Sequence, residues 1–220
     1  MPALEFDINK IRSDFPTLNQ QINANPLVYL DSAATTQKPQ SVIDAINEFY
    51  SSQNANVHRG RHTLSERATS LYEQARDKTA KYFNVSSKEI VWTKGATEAI
   101  NLVSNGLRSR FNQNDTIIIS VLEHHANIVP WQVLSEQTGA KLLALPVNDD
   151  GTLNIKQCCD FIKQSKPSLF AITQASNMLG NITNLKPLIT VAKEVNSLVL
   201  IDGAQGAMHL KPDLHNLNCD

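Results

Sequence analysis

The sequence predicts an α/β fold with a mostly parallel sheet flanked by helices, and three observations carry that prediction. From Ile90 onward five short runs rich in β-branched or other apolar residues recur. Longer segments with helical spacing separate them, which supplies the crossovers that parallel pairing requires. The runs are apolar on both faces, as strands between two helical layers must be.

Residues 7–14 read as a short helix ended by Phe15-Pro16, Val28-Tyr29-Leu30 as a short strand, and residues 39–50 as a helix opened by its proline. Residues 63–83 read as a long helix, because Leu64, Ala68, Leu71, Ala75 and Tyr82 fall on one stripe. The intervening Asn54-Ala55-Asn56-Val57-His58-Arg59-Gly60-Arg61-His62 is polar, basic and contains a glycine, so it is a loop suited to chemistry. The five expected strands are Ile90-Val91-Trp92-Thr93, Thr116-Ile117-Ile118-Ile119-Ser120, Lys141-Leu142-Leu143-Ala144-Leu145, Leu169-Phe170-Ala171-Ile172-Thr173 and Leu198-Val199-Leu200-Ile201-Asp202. No internal repeat, low-complexity tract or linker interrupts them.

Composition removes several classes of function. The 220 residues carry 20 Lys+Arg against 21 Asp+Glu, a formal net charge of −1, which argues against a nucleic-acid binder. At 41% hydrophobic and 19% charged residues the chain is globular rather than disordered. No apolar run approaches a membrane span, and Met1-Pro2-Ala3-Leu4-Glu5-Phe6-Asp7 lacks the pattern of a signal peptide, so a cytoplasmic protein with no membrane partner is expected. Cys158, Cys159 and Cys219 contain no CxxC pair, which indicates neither a disulfide framework nor a zinc site.

Four places could hold chemistry. Thr93-Lys94-Gly95-Ala96-Thr97-Glu98 joins a strand end to a helix start, where unpaired backbone N–H groups and the Thr97 hydroxyl suit an anion; the alternative is that Thr93 or Thr97 merely caps the helix. Neither GxGxxG nor GxxxxGK[ST] occurs, so nucleotides lack motif support. Glu123-His124-His125-Ala126-Asn127 follows the second strand and places an imidazole where a flat cofactor could lie, without any recognisable metal-ligand spacing. Asp202, closing the last strand before Gly203-Ala204-Gln205, could pair with a cationic ring nitrogen or be satisfied by backbone N–H groups. Ser176-Asn177-Met178-Leu179-Gly180 offers an amide, or only a turn. Together, an anion cup, an imidazole, an amide and a carboxylate at strand ends suit a phosphorylated pyridine better than a nucleotide.

These residues resemble a known family. Tyr29-Leu30-Asp31-Ser32-Ala33-Ala34, Val57-His58-Arg59-Gly60-Arg61-His62-Thr63-Leu64-Ser65, Gly95-Ala96-Thr97-Glu98-Ala99-Ile100-Asn101-Leu102-Val103, Glu123-His124-His125-Ala126-Asn127-Ile128-Val129-Pro130-Trp131 and Asp202-Gly203-Ala204-Gln205 are similar to segments of the group II cysteine desulfurases. These are pyridoxal 5'-phosphate enzymes of the class V aminotransferase group, related to selenocysteine lyases. The resemblance implies the large domain of fold type I, the aspartate aminotransferase-like fold, incomplete at its C-terminus. Residues 1–30 would form an N-terminal segment and residues 31–220 the cofactor-binding domain, with a small C-terminal domain beyond.

The resemblance also implies roles. Thr97 matches the phosphate position, His124 the histidine that stacks on the ring and moves protons, Asp202 the partner of the ring nitrogen and Gln205 that of the phenolic oxygen. Asn177 matches a residue near cofactor and substrate, and His58 one in an active-site loop near a subunit interface. The implied reaction converts L-cysteine to L-alanine and leaves sulfur on the enzyme as a persulfide. A homodimer, a sulfur-acceptor protein and iron–sulfur cluster assembly come with it, whereas selenocysteine lyase or another class V lyase is the alternative chemistry. The family's Schiff-base lysine follows a Ser-Gly-His-Lys segment, and its nucleophilic cysteine and carboxylate-binding arginine lie later still; none has a counterpart up to Cys219-Asp220. Helical spacing makes at least one of Cys158 and Cys159 a core residue, so neither is promoted to nucleophile. Further departures are Ala96, Gln174-Ala175 and Gly206. A short, non-catalytic cofactor-binding or interaction module is the contrasting reading, and on either reading these 220 residues alone are inactive.

Overall fold

The computed structural model describes residues 6–211 and 213–220. The described residues up to Arg76 form one compact unit and those from Asp77 onward a second.

In the first unit, α1 (Ile8–Ser13) starts where the Asp7 side chain accepts from the backbone N–H groups of Asn9 and Lys10, both at 3.0 Å. Strands β1 (Gln21–Ile22) and β2 (Asn25–Pro26) make a minimal antiparallel hairpin. Arg12 reaches from α1 to the carbonyls of Leu18 at 2.7 Å and Leu27 at 2.5 Å, which fixes that hairpin against the helix. The expected strand at Val28-Tyr29-Leu30 does not form: Leu30 is 91% exposed, and a strand exists only where its backbone finds a partner. Helix α2 (Gln40–Glu48) passes into a π-turn over Phe49–Gln53, and the loop 54–62 leads to α3 (Thr63–Phe83), the long helix expected from its stripe. The unit boundary falls inside α3.

The second unit contains α4 (Ala96–Leu107), β3 (Thr116–Ser120), α5 (Val129–Thr138), β4 (Lys141–Leu145), α6 (Ile155–Ser165), β5 (Leu169–Thr173), α7 (Leu185–Glu194), β6 (Leu198–Asp202), α8 (Gly206–His209) and α9 (Leu214–Leu217). The strands form one parallel sheet in the order β4-β3-β5-β6. Its faces separate by residue parity, as a pleat demands. Ile118, Phe170, Ile172 and Val199 pack with Ile162 and Leu188 of α6 and α7 on one face. On the other face Ile117, Ile119, Leu169 and Ala171 pack with Ile100, Trp131 and Leu134 of α4 and α5. The central strand β5 is buried at every residue, whereas the edge strand β4 is not.

Ile90-Val91-Trp92-Thr93 is not a strand. It lies outside the four-stranded sheet, with Val91 69% exposed. No helix among the described residues is long and apolar enough to cross a membrane.

Candidate active site

The sheet order creates the crevice. From β3 the chain crosses to β4 on one side and then returns to place β5 on the other, so connections leave in opposite directions between β3 and β5. At such a switch point the loops beyond the strand ends part and leave room for a ligand. The loops after β3, β5 and β6 carry His124, Asn177 and Asp202-Gly203-Ala204-Gln205, which the chain brings to one end of the sheet.

Asp202 is the last residue of β6, register partner of Thr173, and only 6% exposed. Its Oδ1 accepts the backbone N–H of Ala204 at 3.0 Å, and its carbonyl accepts from Gln174 N at 3.0 Å. The backbone-satisfied reading therefore describes part of this residue. A carboxylate held at the buried end of a strand can also face a cation in the crevice. A Cβ placed on Gly203 would meet nothing within 4 Å, so the approach past it is open; Gln205 is half-buried one turn on.

Thr97 stands exposed in the first turn of α4. The capping alternative is not what the structure shows: no side chain caps this helix, and the Thr93 hydroxyl instead donates to the Gly95 carbonyl at 3.1 Å. The first-turn N–H groups thus keep their capacity for an anion, and the space a Cβ on Gly95 would occupy is empty to 4 Å. The Glu98 carboxylate folds back past that end and accepts Lys94 N at 2.5 Å, ahead of the first-turn N–H groups. Helix α4 packs on the short turn His125–Asn127, which brings the anion cup beside the His124 loop.

His124 precedes that turn and is exposed. Its Nδ1 accepts Ala126 N at 3.1 Å, so the neutral ring carries its proton on Nε2. Asn177 is exposed at the tip of a loop shaped by Ser176, whose Oγ accepts from Met178 N and Leu179 N, both at 3.2 Å. Turn formation and display of the amide are compatible here.

His58 belongs to the first unit. Its backbone is in the left-handed region, φ 71°, a strained setting for a residue with a Cβ. Its N–H donates to Thr69 Oγ1 at 2.9 Å, its Nε2 lies 3.1 Å from Glu73 Oε1, and its ring meets Tyr72 edge-on at 5.4 Å. Gly60 is required here, because a Cβ would fall 2.2 Å from Ser65 Oγ, which donates to the Asn56 carbonyl at 2.6 Å.

Sequence reasoning passed over Glu123. It is 8% exposed and receives hydrogen bonds from Ser120 Oγ at 2.5 Å, Asn127 Nδ2 at 2.6 Å and Thr173 N at 3.0 Å. Burial pushes its carboxyl above the usual range; the three donors pull it back, and the negative charge of Asp202 adds a smaller upward push. The available signal was spacing, since Glu123, Asn127 and Trp131 recur every four residues directly after a strand.

Comparison with known proteins shows the family and the fold. The aminotransferase class-V family model matches residues 28–220. A cysteine desulfurase of Pectobacterium atrosepticum is 48% identical over 219 residues, covering 99% of this chain and 54% of that protein. The solved apo cysteine desulfurase of Thermococcus onnurineus superposes with a TM-score of 0.89 at 35% identity, over 97% of this chain and 51% of that one. For a solved cysteine desulfurase from Escherichia coli the values are 0.84 and 41%, over 98% and 53%. The chain thus spans about half the length of the relatives it matches.

Proposed function

The chain belongs to the aminotransferase class-V family, and from that premise we propose that it forms the amino-terminal part of a pyridoxal-phosphate-dependent cysteine desulfurase. The observation that carries the reading is the pairing of an uncapped α4 N-terminus, bearing Thr97, with the nearly buried Asp202 at the end of β6. One site suits a phosphate and the other a cationic ring nitrogen, so the residues present fit the cofactor.

Thr97 and the first-turn N–H groups of α4 would hold the phosphate, Asp202 the ring nitrogen and Gln205 the phenolic oxygen. When bound, the cofactor supplies an electron sink for negative charge developing on the substrate carbon. Asp202 would oppose loss of a ring-nitrogen proton, because burial leaves little water to screen its charge. His124 carries a proton on Nε2 at the exposed edge of its ring, where it can exchange with substrate atoms. Asn177 and His58 would contact the substrate. The sulfur of L-cysteine would pass to a cysteine thiolate as a persulfide, with L-alanine released.

The cofactor-linked lysine, that cysteine and the carboxylate-binding arginine belong to family segments beyond the position matching Asp220. The proposed domains are residues 1–30 as an N-terminal segment and 31–220 as the large domain. The whole protein is proposed to be a cytoplasmic homodimer that hands sulfur to an acceptor protein for iron–sulfur cluster assembly.

The test extends this chain to the length of its relatives and compares two variants by cofactor titration and by alanine and sulfide formation. Thr97→Ala should mainly weaken cofactor binding, by about tenfold for one hydrogen bond to a charged group. Asp202→Ala should retain cofactor better and lose far more turnover, because ring protonation matters most as charge develops. The reverse pattern would exchange the two roles. Absence of both products from the extended parent would end the desulfurase reading.

A further inference from the structure

Glu123, Asn127, Trp131, Ser120 and Thr173 form a polar network inside the second unit, none of them more than 8% exposed. Its hydrogen bonds run one way. The indole Nε1–H of Trp131 can only donate, and it donates to Asn127 Oδ1 at 2.8 Å. That fixes the amide's orientation, so Asn127 Nδ2 faces Glu123 Oε2 and donates at 2.6 Å. On the other oxygen, Thr173 N can only donate, and it does so at 3.0 Å. Ser120 Oγ already accepts Leu122 N at 3.1 Å and turns its proton to Glu123 Oε1 at 2.5 Å. Three donors converge on a side chain that must accept at both oxygens.

The geometry of the backbone gives this network a role at the site. Glu123 and Asn127 bracket His124, and Asn127 N also donates to the His124 carbonyl at 2.7 Å. Thr173, where Glu123 is anchored, is the register partner of Asp202. Resting on the functional reading above, we propose that Glu123 is a positioning residue: a one-way chain of hydrogen bonds from Trp131 pins the His124 loop to the end of β5 and thereby sets His124 relative to Asp202. Glu123 acts through its neighbours. The charged or titratable groups around it are Asp202 from β6 and His124 and His125 on its own loop.

The directionality makes the proposal testable by exchange. Glu123→Gln keeps an acceptor for Ser120 and Thr173 but presents an NH2 to the Asn127 NH2, and turning the Asn127 amide only moves the donor–donor conflict to Trp131. Asn127→Asp sets two carboxylates face to face. The double variant restores every donor–acceptor pair, because the carboxylate introduced by Asn127→Asp accepts from both Trp131 and the new amide, with the charge displaced by one partner.

All three variants are made in the extended protein carrying Trp92→Phe, which leaves Trp131 as this chain's fluorescent indole; emission is read without cofactor and kinetics with it. Each single variant should shift the Trp131 emission and lower kcat by about tenfold or more while the KM for cysteine changes less than about threefold; the double variant should recover both emission and kcat to within about threefold. A Glu123→Gln protein with parental kcat and emission overturns the proposal. So does a double variant no better than either single one, including the case in which the singles do not fold. An extended parent without desulfurase activity defeats the functional reading instead, and recovery of emission in the cofactor-free double variant still decides whether the network exists.

Discussion

At Gly206 a single methyl group separates two packings. A Cβ there would lie 2.0 Å from Gln174 Oε1, 2.7 Å from its Cδ and 3.0 Å from its Cβ, so more than the tip of the side chain must move. Gln174 and Gly206, two of the departures from the family pattern, are thus one accommodation. Gly206→Ala should destabilise the chain by about 1–3 kcal/mol, the usual cost of overpacking, and Gln174→Ala should recover most of it in denaturant titrations of the single and double variants. Cys158 presents the opposite case, a potentially reactive group made inert by its surroundings. It is 2% exposed, and burial, reinforced by the neighbouring Cys159, pushes its thiol above the ordinary value of 9.0. The proton is held more tightly in the folded chain than in the unfolded one, so folding stability falls as pH rises past the ordinary thiol range. Thiol alkylation at pH 8 should leave Cys158 unmodified until denaturant is added, as peptide mapping will show. Early labelling of Cys158 would contradict its assignment as an inert core thiol.

Among the elements, four of the five strands expected from Ile90 onward form, because β3, β4, β5 and β6 lie side by side and the apolar runs coincide with paired backbone. Ile90-Val91-Trp92-Thr93 has the same composition but lies outside the four-stranded sheet, because composition reports side-chain preference rather than strand pairing. The same reason undoes Val28-Tyr29-Leu30. Helix α3 was legible because a stripe of five residues over 21 positions leaves little ambiguity, although Leu64, Leu71 and Tyr82 on that stripe remain substantially exposed. The placement of His124, Asn177 and Asp202 at strand ends, and of Thr97 at a helix start, was legible because each follows a recognisable apolar run. Glu123 was not, since its significance lies in contacts with Thr173, fifty residues on, and with an amide whose orientation a third residue dictates.

For the second unit as a whole, the outer side of β6 is the open feature. No strand lies there among the described residues; instead Asp220 N donates to the Val199 carbonyl at 3.0 Å, and its carboxylate accepts from Val199 N at 2.8 Å. Beside it runs a groove of about 510 Å³ lined by Phe83, Val103, Leu107, Leu198, Leu200 and Leu214. An apolar surface of this kind attracts other apolar surfaces. The 220-residue chain should bind a dye that brightens on apolar surfaces, and Val103→Lys should reduce that signal without lowering the midpoint of unfolding; equal brightness in both proteins would locate the exposed surface elsewhere. The strand order also has a meaning in time. As the chain emerges from the ribosome, the strand order lets β4 add to one side of β3, β5 to the other, and β6 to the free side of β5. Each new strand meets an edge already in place, and none has to be threaded between two that have paired. A sheet that grows only outward can be assembled at the pace of synthesis, with β5 becoming its interior only when the last of these strands arrives.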